Sequence, residues 1–294
     1  MAFFGSDSVL SLRVLDALTA EHRVLGVVQA TRRFRGSGLR RPLRGLWLAA
    51  RRIAGRAPLA TAARRAGSPH WFATERGDPA LLARLRDLQP DLICLAAYRW
   101  ILPPEMLAIP RWGAINLHPS LLPRHRGSWP LFWTYYQNDR VAGVTLHRAV
   151  AQVDAGAVLA QESVPLPRGY PVAELDRQLA MHGARLVAQG LADIETGSTR
   201  ERHQDEAAAT EAPRVPAGRS VIPFADWDVE RVWHFLAGIA THYQESLQDS
   251  SGHPVHYRVV GGFDLVSHDR PSGTVEPVPG GWTLYARGGV VHLR

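Results

Sequence analysis

The hydrophobic period changes several times along the chain, and each change marks an element. Met1–Gly5 is apolar and runs into a glycine, which predicts a short first strand and a turn. Val9, Leu12, Leu15 and Leu18 recur at helical spacing and predict a helix over Ser8–Leu18. Val24–Gln29 reads as a second strand. Arg40–Ala66 has helical apolar spacing mixed with arginine and is interrupted at Pro58. Pro79–Leu88, with proline in its first turn and Leu81, Leu82, Leu85 and Leu88 on one side, predicts a further helix. Asp91–Ala97 is an apolar run bounded by Pro90, as suits a strand buried on both faces, and Gly113–His118 is another strand. This alternation predicts an α/β fold, a mostly parallel sheet with helices on both faces.

The second half reads differently. Gly143–Val150 and Ala155–Pro165 predict two strands joined by the loop Ala151–Asp154. Val172–Ile194 is a long helix with Leu175, Leu179, Leu186, Val187 and Leu191 on its apolar side. Residues 196–219 are polar and proline-bearing and read as a linker. Residues 220–294 hold one helix, Asp228–Ile239, and then the short strands His256–Val260, Gly273–Val278, Trp282–Ala286 and Val290–Leu293. The expected organisation is a large α/β domain over 1–195, a linker over 196–219 and a small, mostly β, OB-like domain over 220–294. Trp227, Trp233 and Trp282 are assigned to the core of that small domain.

Composition sharpens this picture in three ways. The single cysteine, Cys94, lies mid-strand among apolar neighbours, which makes it a core residue and excludes both an intrachain disulfide and a multi-cysteine zinc site. No run approaches the ~20 apolar residues of a membrane span. The N-terminus lacks the basic start and apolar run of a signal peptide, so a cytoplasmic protein is expected. The 34 basic residues are all arginine, which removes Schiff-base and P-loop lysine chemistry. Twelve of them (Arg23, Arg32, Arg33, Arg35, Arg40, Arg41, Arg44, Arg51, Arg52, Arg56, Arg64 and Arg65) fall between His22 and Thr74, a stretch without one acid. The net charge of +7 is therefore a local basic region on an otherwise mildly acidic chain.

Chemistry is concentrated in Ala114–Gly127. Asn116 and His118 are two apart in a strand, so they share a face, while Ile115 and Leu117 take the other. Both stand at the strand's carboxyl end, just before Pro119, where open α/β sheets bind ligands. An amide and an imidazole converging there suit oxyanion stabilisation and proton movement. Asp154, in the loop between two strands, is placed to orient His118 and raise its basicity. Read singly, each has a plainer role: Asn116 and His118 as satisfied structural polar groups, Asp154 as a turn former, and His147 as a packing or hydrogen-bonding residue.

The whole string is more specific. Asn116-x-His118-x-Ser120-Leu-Leu-Pro123-x-x-Arg126-Gly127, then Gly143-Val-Thr-Leu-His-Arg, then Val153-Asp154-Ala-Gly-Ala-Val-Leu-Ala-Gln161 resembles the folate-dependent formyltransferase family, which includes methionyl-tRNA, glycinamide ribonucleotide and sugar-nucleotide formyltransferases. The resemblance extends to Phe3-Phe-Gly-Ser, to Tyr98-x-x-Ile-Leu-Pro103 and to Gln204-x-Glu-Ala-Ala-Ala-Thr210, and so covers roughly residues 1–212. It implies a Rossmann-like catalytic domain, 10-formyltetrahydrofolate as co-substrate, no metal, and Asn116, His118 and Asp154 as the catalytic set. It further implies that Tyr98, Ile101, Leu102, Val153 and Gly156 hold the pteridine, and that Ser6, Ser120, Arg126 and Gly127 touch the acceptor. Two departures are visible. The first strand starts closer to the N-terminus than is usual in the family, as a trimmed start would make it, and the C-terminal domain is shorter than that of the tRNA enzymes.

The acceptor is expected from the arginine-rich region and the wording of the motifs. Arginine forks suit phosphate oxygens on tRNA, a nucleotide sugar or a carrier, although a solvated helix face is the plain alternative. His118-Pro-Ser and Ser128-Trp-Pro are closer to the sugar and natural-product branch. A small, phosphate-bearing amine is therefore the first expectation, with initiator tRNA as the alternative. A formyltetrahydrofolate hydrolase ranks below both, and a non-catalytic binding module lower still. No membrane partner is expected, and a homo-oligomer is compatible with the sequence.

Overall fold

The computed structural model describes residues 1–30, 57–216 and 218–294. Of the twelve clustered arginines, all except Arg23, Arg64 and Arg65 lie outside the described residues, as does most of the helical spacing expected over Arg40–Ala66.

Seven strands form one sheet: β1 (Ala2–Gly5), β2 (Gly26–Ala30), β3 (His70–Ala73), β4 (Ile93–Ala96), β5 (Ala114–His118), β6 (Val141–Arg148) and β7 (Val158–Pro165). Their order is β3-β2-β1-β4-β5-β6-β7, with β1 to β5 parallel and β6 antiparallel to β5. Four residues suffice for β1 because Ala2, Phe3 and Phe4 are wholly buried, so every side chain contributes apolar area. The chain runs from β1 outward to β3, then returns to β4 on the other side of β1. That reversal is the topological switch point at which sheets of this kind open a crevice.

The helices follow local rules. Helix α1 (Val9–Glu21) is capped by Ser8, whose hydroxyl accepts from Ser11 N at 3.1 Å, and the buried Ser11 hydroxyl donates to Ala96 O at 2.6 Å. After α2 (Pro58–Arg65), α3 (Pro79–Leu88) has Asp78 as its cap and proline at its first position. A single turn, α4 (Pro104–Leu107), precedes β5. The long helix α6 (Val172–Thr196) approaches β5 and β6 closely, after the short helix α5 (Pro130–Tyr136). A Cβ on Gly183 would stand 2.5 Å from Leu117 Cδ2, and one on Gly190 2.3 Å from Leu146 Cδ2. Leu117 and Leu146, partners across β5 and β6, thus fill the face toward α6 and leave Asn116, His118 and His147 on the other.

The chain separates into two compact units. One comprises Met1–Ser128, Gly143–Ser163 and Asp176–Glu211 and carries the site described below. The other comprises Trp129–Ala142, Val164–Leu175 and Ala212–Arg294. The second unit contains α5, α7 (Val229–Ile239, capped by Asp228) and a four-stranded antiparallel sheet of order β8-β11-β10-β9. Those strands are β8 (Val260–Asp264), β9 (Val275–Val278), β10 (Gly281–Ala286) and β11 (Gly289–Leu293). Its core is aromatic: Phe132 meets Phe235 at 5.5 Å and Tyr243 at 5.2 Å, and Trp227, 3% exposed, lies 5.0 Å from Tyr136. Trp227 is a core residue as expected, whereas Trp233 and Trp282 are half-buried.

Five elements correct the sequence reading. Strand β3 and helices α4 and α5 were not anticipated. The strand expected over His256–Val260 begins instead at Val260 and runs through Gly261 and Gly262, because the small residue at 261 lets the backbone approach His292. Residues 196–219 contain ordered structure in their first half, including the 3₁₀ turn Glu206–Ala208. Cys94 is a buried core residue, as expected, and burial pushes its thiol up to about 12.

Candidate active site

The site lies at the carboxyl end of β5, and the register of β5 against β6 builds it. Asn116 pairs with His147 and His118 with Thr145, so all four side chains fall on one face. The fifth element of the site is the β6–β7 loop, which brings in Asp154 with φ +47°. That left-handed conformation is uncommon for a residue with a side chain and persists only where its surroundings determine it. Gly156 permits it: a Cβ there would stand 1.9 Å from Arg148 O.

Asp154 is the centre of the cluster. Its Oδ2 accepts from Gly127 N at 2.9 Å and lies 3.5 Å from His118 Nδ1. Its Oδ1 accepts from Asn116 Nδ2 at 3.3 Å and lies 3.6 Å from His147 Nε2. Burial alone would raise its pKa. The two histidines and the Gly127 amide outweigh that and hold the carboxyl well below the usual carboxylate range, so it is ionised at neutral pH.

The two imidazoles have their tautomers set by carbonyls. His118 Nε2 donates to His125 O at 2.8 Å, so in the neutral ring the lone pair is on Nδ1, toward Asp154. His147 Nδ1 donates to Arg148 O at 2.8 Å, so its Nε2 accepts from Asn116 Nδ2 at 3.1 Å. Two acceptors facing one amide fix its orientation, with the nitrogen toward His147 and Asp154. Both N–H bonds of Asn116 are therefore engaged within the cluster. His118 is 5% exposed, and burial lowers its pKa by more than Asp154 and the His125 carbonyl raise it. The expected rise in basicity is thus reversed, and the ring is a neutral base at pH 7.

The other expected site residues are distributed around this core. Ser6 follows β1, and its amide donates to Ser11 Oγ at 3.0 Å. Ser120 is 2% exposed and donates to Arg124 O at 2.7 Å, so its hydroxyl is spent within its own loop. The Arg126 guanidinium donates to Gln204 Oε1 at 3.1 and 2.9 Å and to Glu206 at 2.8 Å, and Gly127 gives its amide to Asp154. Leu102 is buried and Ile101 half-buried, while Tyr98 meets Phe4 edge-on at 5.1 Å. Val153 is 46% exposed. The backbone from Tyr98 to Leu102 is neither helix nor strand, and among the described residues its amides make no backbone hydrogen bond.

His147 is the site residue that sequence reasoning missed. The signal was the cross-strand register, which places position 147 opposite 116 only once β5 and β6 are known to be antiparallel neighbours. Among the described residues no group of acidic, histidine or cysteine side chains is arranged to hold a metal, and no helix is long and apolar enough to cross a membrane.

Comparison with known proteins places this geometry. Residues 49–191 match the family model described as formyl transferase. The methionyl-tRNA formyltransferase of Deinococcus radiodurans is 36% identical over 226 residues, covering 77% of this chain and 66% of that protein. The chain spans less than two thirds of the length of the curated relatives it matches, which are methionyl-tRNA formyltransferases. Among solved structures, an N-formyltransferase from Helicobacter canadensis in complex with folinic acid and dTDP-3-aminofucose superposes with a TM-score of 0.69 at 13% identity, covering all of this chain and 98% of that one. HypX from Aquifex aeolicus in complex with tetrahydrofolic acid gives a TM-score of 0.64 at 19% identity, covering 99% of this chain and 43% of HypX. The sheet order and these matches agree, and the chain belongs to the formyl transferase family.

Proposed function

We propose that the protein transfers a formyl group from 10-formyltetrahydrofolate to an amine, with Asn116, His118 and Asp154 at the reacting atoms and His147 holding Asn116. The observation that carries this reading is the convergence of those four side chains at the carboxyl end of β5, in a chain of this family. Tetrahydrofolic and folinic acid in the two structural neighbours support the co-substrate. The open backbone at Tyr98–Leu102 and the 153–156 loop would hold a pteridine.

When bound, the folate supplies an electrophilic formyl carbon. The chain's own residues supply the rest. His118 Nδ1 takes the proton that the attacking amine loses as its bond to the formyl carbon forms, and Asp154 Oδ2, 3.5 Å away, stabilises the resulting imidazolium. The same proton would pass to the departing folate nitrogen as its bond to the formyl carbon breaks. The charge that forms on His118 draws Asp154 toward it and weakens the longer of the two Asn116 bonds, the one at 3.3 Å. That frees one Asn116 N–H to hold charge at the formyl oxygen. His147 keeps the amide oriented during this exchange through the bond at 3.1 Å.

The acceptor is an amine, and the two branches make different claims on it. The sequence relatives favour the amino group of a methionyl-tRNA over the small-molecule amine expected from the motif wording. Near-complete coverage by a sugar-nucleotide enzyme keeps an amino sugar as the second reading. Tetrahydrofolate release measured with charged initiator tRNA, with amino sugar nucleotides and with no acceptor separates them. We expect release with tRNA and a rate that falls steeply with added salt. Release only with a sugar nucleotide would overturn the tRNA reading and leave formyl transfer intact.

A further inference from the structure

The segment Gln204–Thr210 ties together the two loops that hold the catalytic pair. Gln204 Nε2 donates to Asp154 O and to Gly156 O, both at 2.7 Å, so one amide fixes the turn that carries Asp154. Gln204 Oε1 accepts twice from Arg126, and the same guanidinium pairs with both oxygens of Glu206 at 2.8 Å. Six residues after Gln204, Thr210 Oγ1 accepts from His125 N at 2.8 Å, Thr210 O accepts from Arg126 N at 2.8 Å, and Thr210 N donates to Pro123 O at 3.2 Å.

These bonds bear on the chemistry because of what the two loops hold. His125 O is the acceptor that sets the His118 tautomer, and Gly127 N is a donor to Asp154 Oδ2. His125 and Asp154 both have left-handed backbones, φ +60° and +47°, which need outside support. Thr210 supplies it to the first and Gln204 to the second.

We propose that Gln204–Thr210 is a strap that positions the His118–Asp154 pair, with Gln204 and Thr210 as positioning residues acting through the 123–127 and 154–156 loops. Neither touches the reacting atoms. Gln204 sets where the Asp154 carboxylate stands, and Thr210 sets where the His125 carbonyl stands.

This inference rests on the formyl-transfer reading for its kinetic readout, and a spectroscopic readout keeps the two separable. Gln204→Glu is isosteric and retains the acceptor for Arg126, but turns a carboxylate oxygen toward the Asp154 and Gly156 carbonyls. Gln204→Ala removes both sets of bonds. Thr210→Val removes the acceptor for His125 N, and Thr210→Ser restores it. Each variant is first checked by thermal melting. In the folded variants, kcat should fall by about 10²-fold for Gln204→Glu and Thr210→Val, with KM for folate changed by less than about threefold and Thr210→Ser close to wild type. ¹⁵N NMR of the histidines should show His118 fixed as the Nε2–H tautomer in the wild type and in Thr210→Ser, and as a mixture in Thr210→Val. Gln204→Glu and Thr210→Val with wild-type kcat and an unchanged His118 spectrum would overturn the strap. A wild type that shows the fixed tautomer but no formyl transfer would overturn the activity and leave the strap standing.

Discussion

His118 sits in two opposing fields. Burial disfavours its charged form, and Asp154, beside its Nδ1, favours it. Burial prevails, so the conjugate acid titrates below the ordinary 6.5. The sign for activity follows: the limb of the pH–kcat profile that reports His118 should rise with pH and be centred below 6.5. The sign for stability is the same, because between the folded and unfolded values the unfolded chain binds more protons, and stability falls as the pH drops through that window. Asp154, depressed below 3.8, contributes fully above that pH and loses its contribution progressively as the pH falls from there toward its folded value. His147 has a different effect. His147→Phe leaves the Asn116 amide without the nearer of its two acceptors, and kcat should drop by about 10²-fold while folate affinity, measured by fluorescence quenching, stays near wild type. Asn116, His118 and Asp154 were legible in the sequence because a motif of fixed spacing carries them. His147 was not, since no local pattern separates a histidine that faces a site from one that packs.

At the level of elements, the site depends on close approach as much as on side chains. The β6–β7 loop passes so near β6 that only glycine fits at 156. Gly156→Ala should destabilise the fold by about 1–3 kcal/mol and lower Tm by several degrees, with loss of transfer from the displaced Asp154. A calorimetric melt paired with an activity assay checks both. The same scale explains what the sequence concealed. Strand β3, His70–Ala73, is four residues with no alternation, and α5 is too short and too uniformly aromatic to display a helical period. By contrast α3 has proline, a capping aspartate and spaced leucines, and it forms over the expected residues, Pro79–Leu88. Strand β8 was displaced because a Gly-Gly pair reads as a break, although in this edge strand Gly261 lets the backbone approach that of His292.

For the whole molecule, the sequence foretold an α/β unit and a small β-rich C-terminal part, and both are present. It did not reveal that α5 and residues 164–175 belong to the same compact unit as residues 212–294, because chain order says nothing about packing between distant segments. The central claim is that His118 and Asp154 move the acceptor's proton during formyl transfer. The measurement that tests it most directly is single-turnover transfer from 10-formyltetrahydrofolate in the wild type and in His118→Ala, with tetrahydrofolate affinity measured in parallel. The account predicts transfer in the wild type, a loss of about 10²–10⁴-fold in His118→Ala, and folate affinity that is nearly the same in both. Transfer at the wild-type rate in His118→Ala would contradict it.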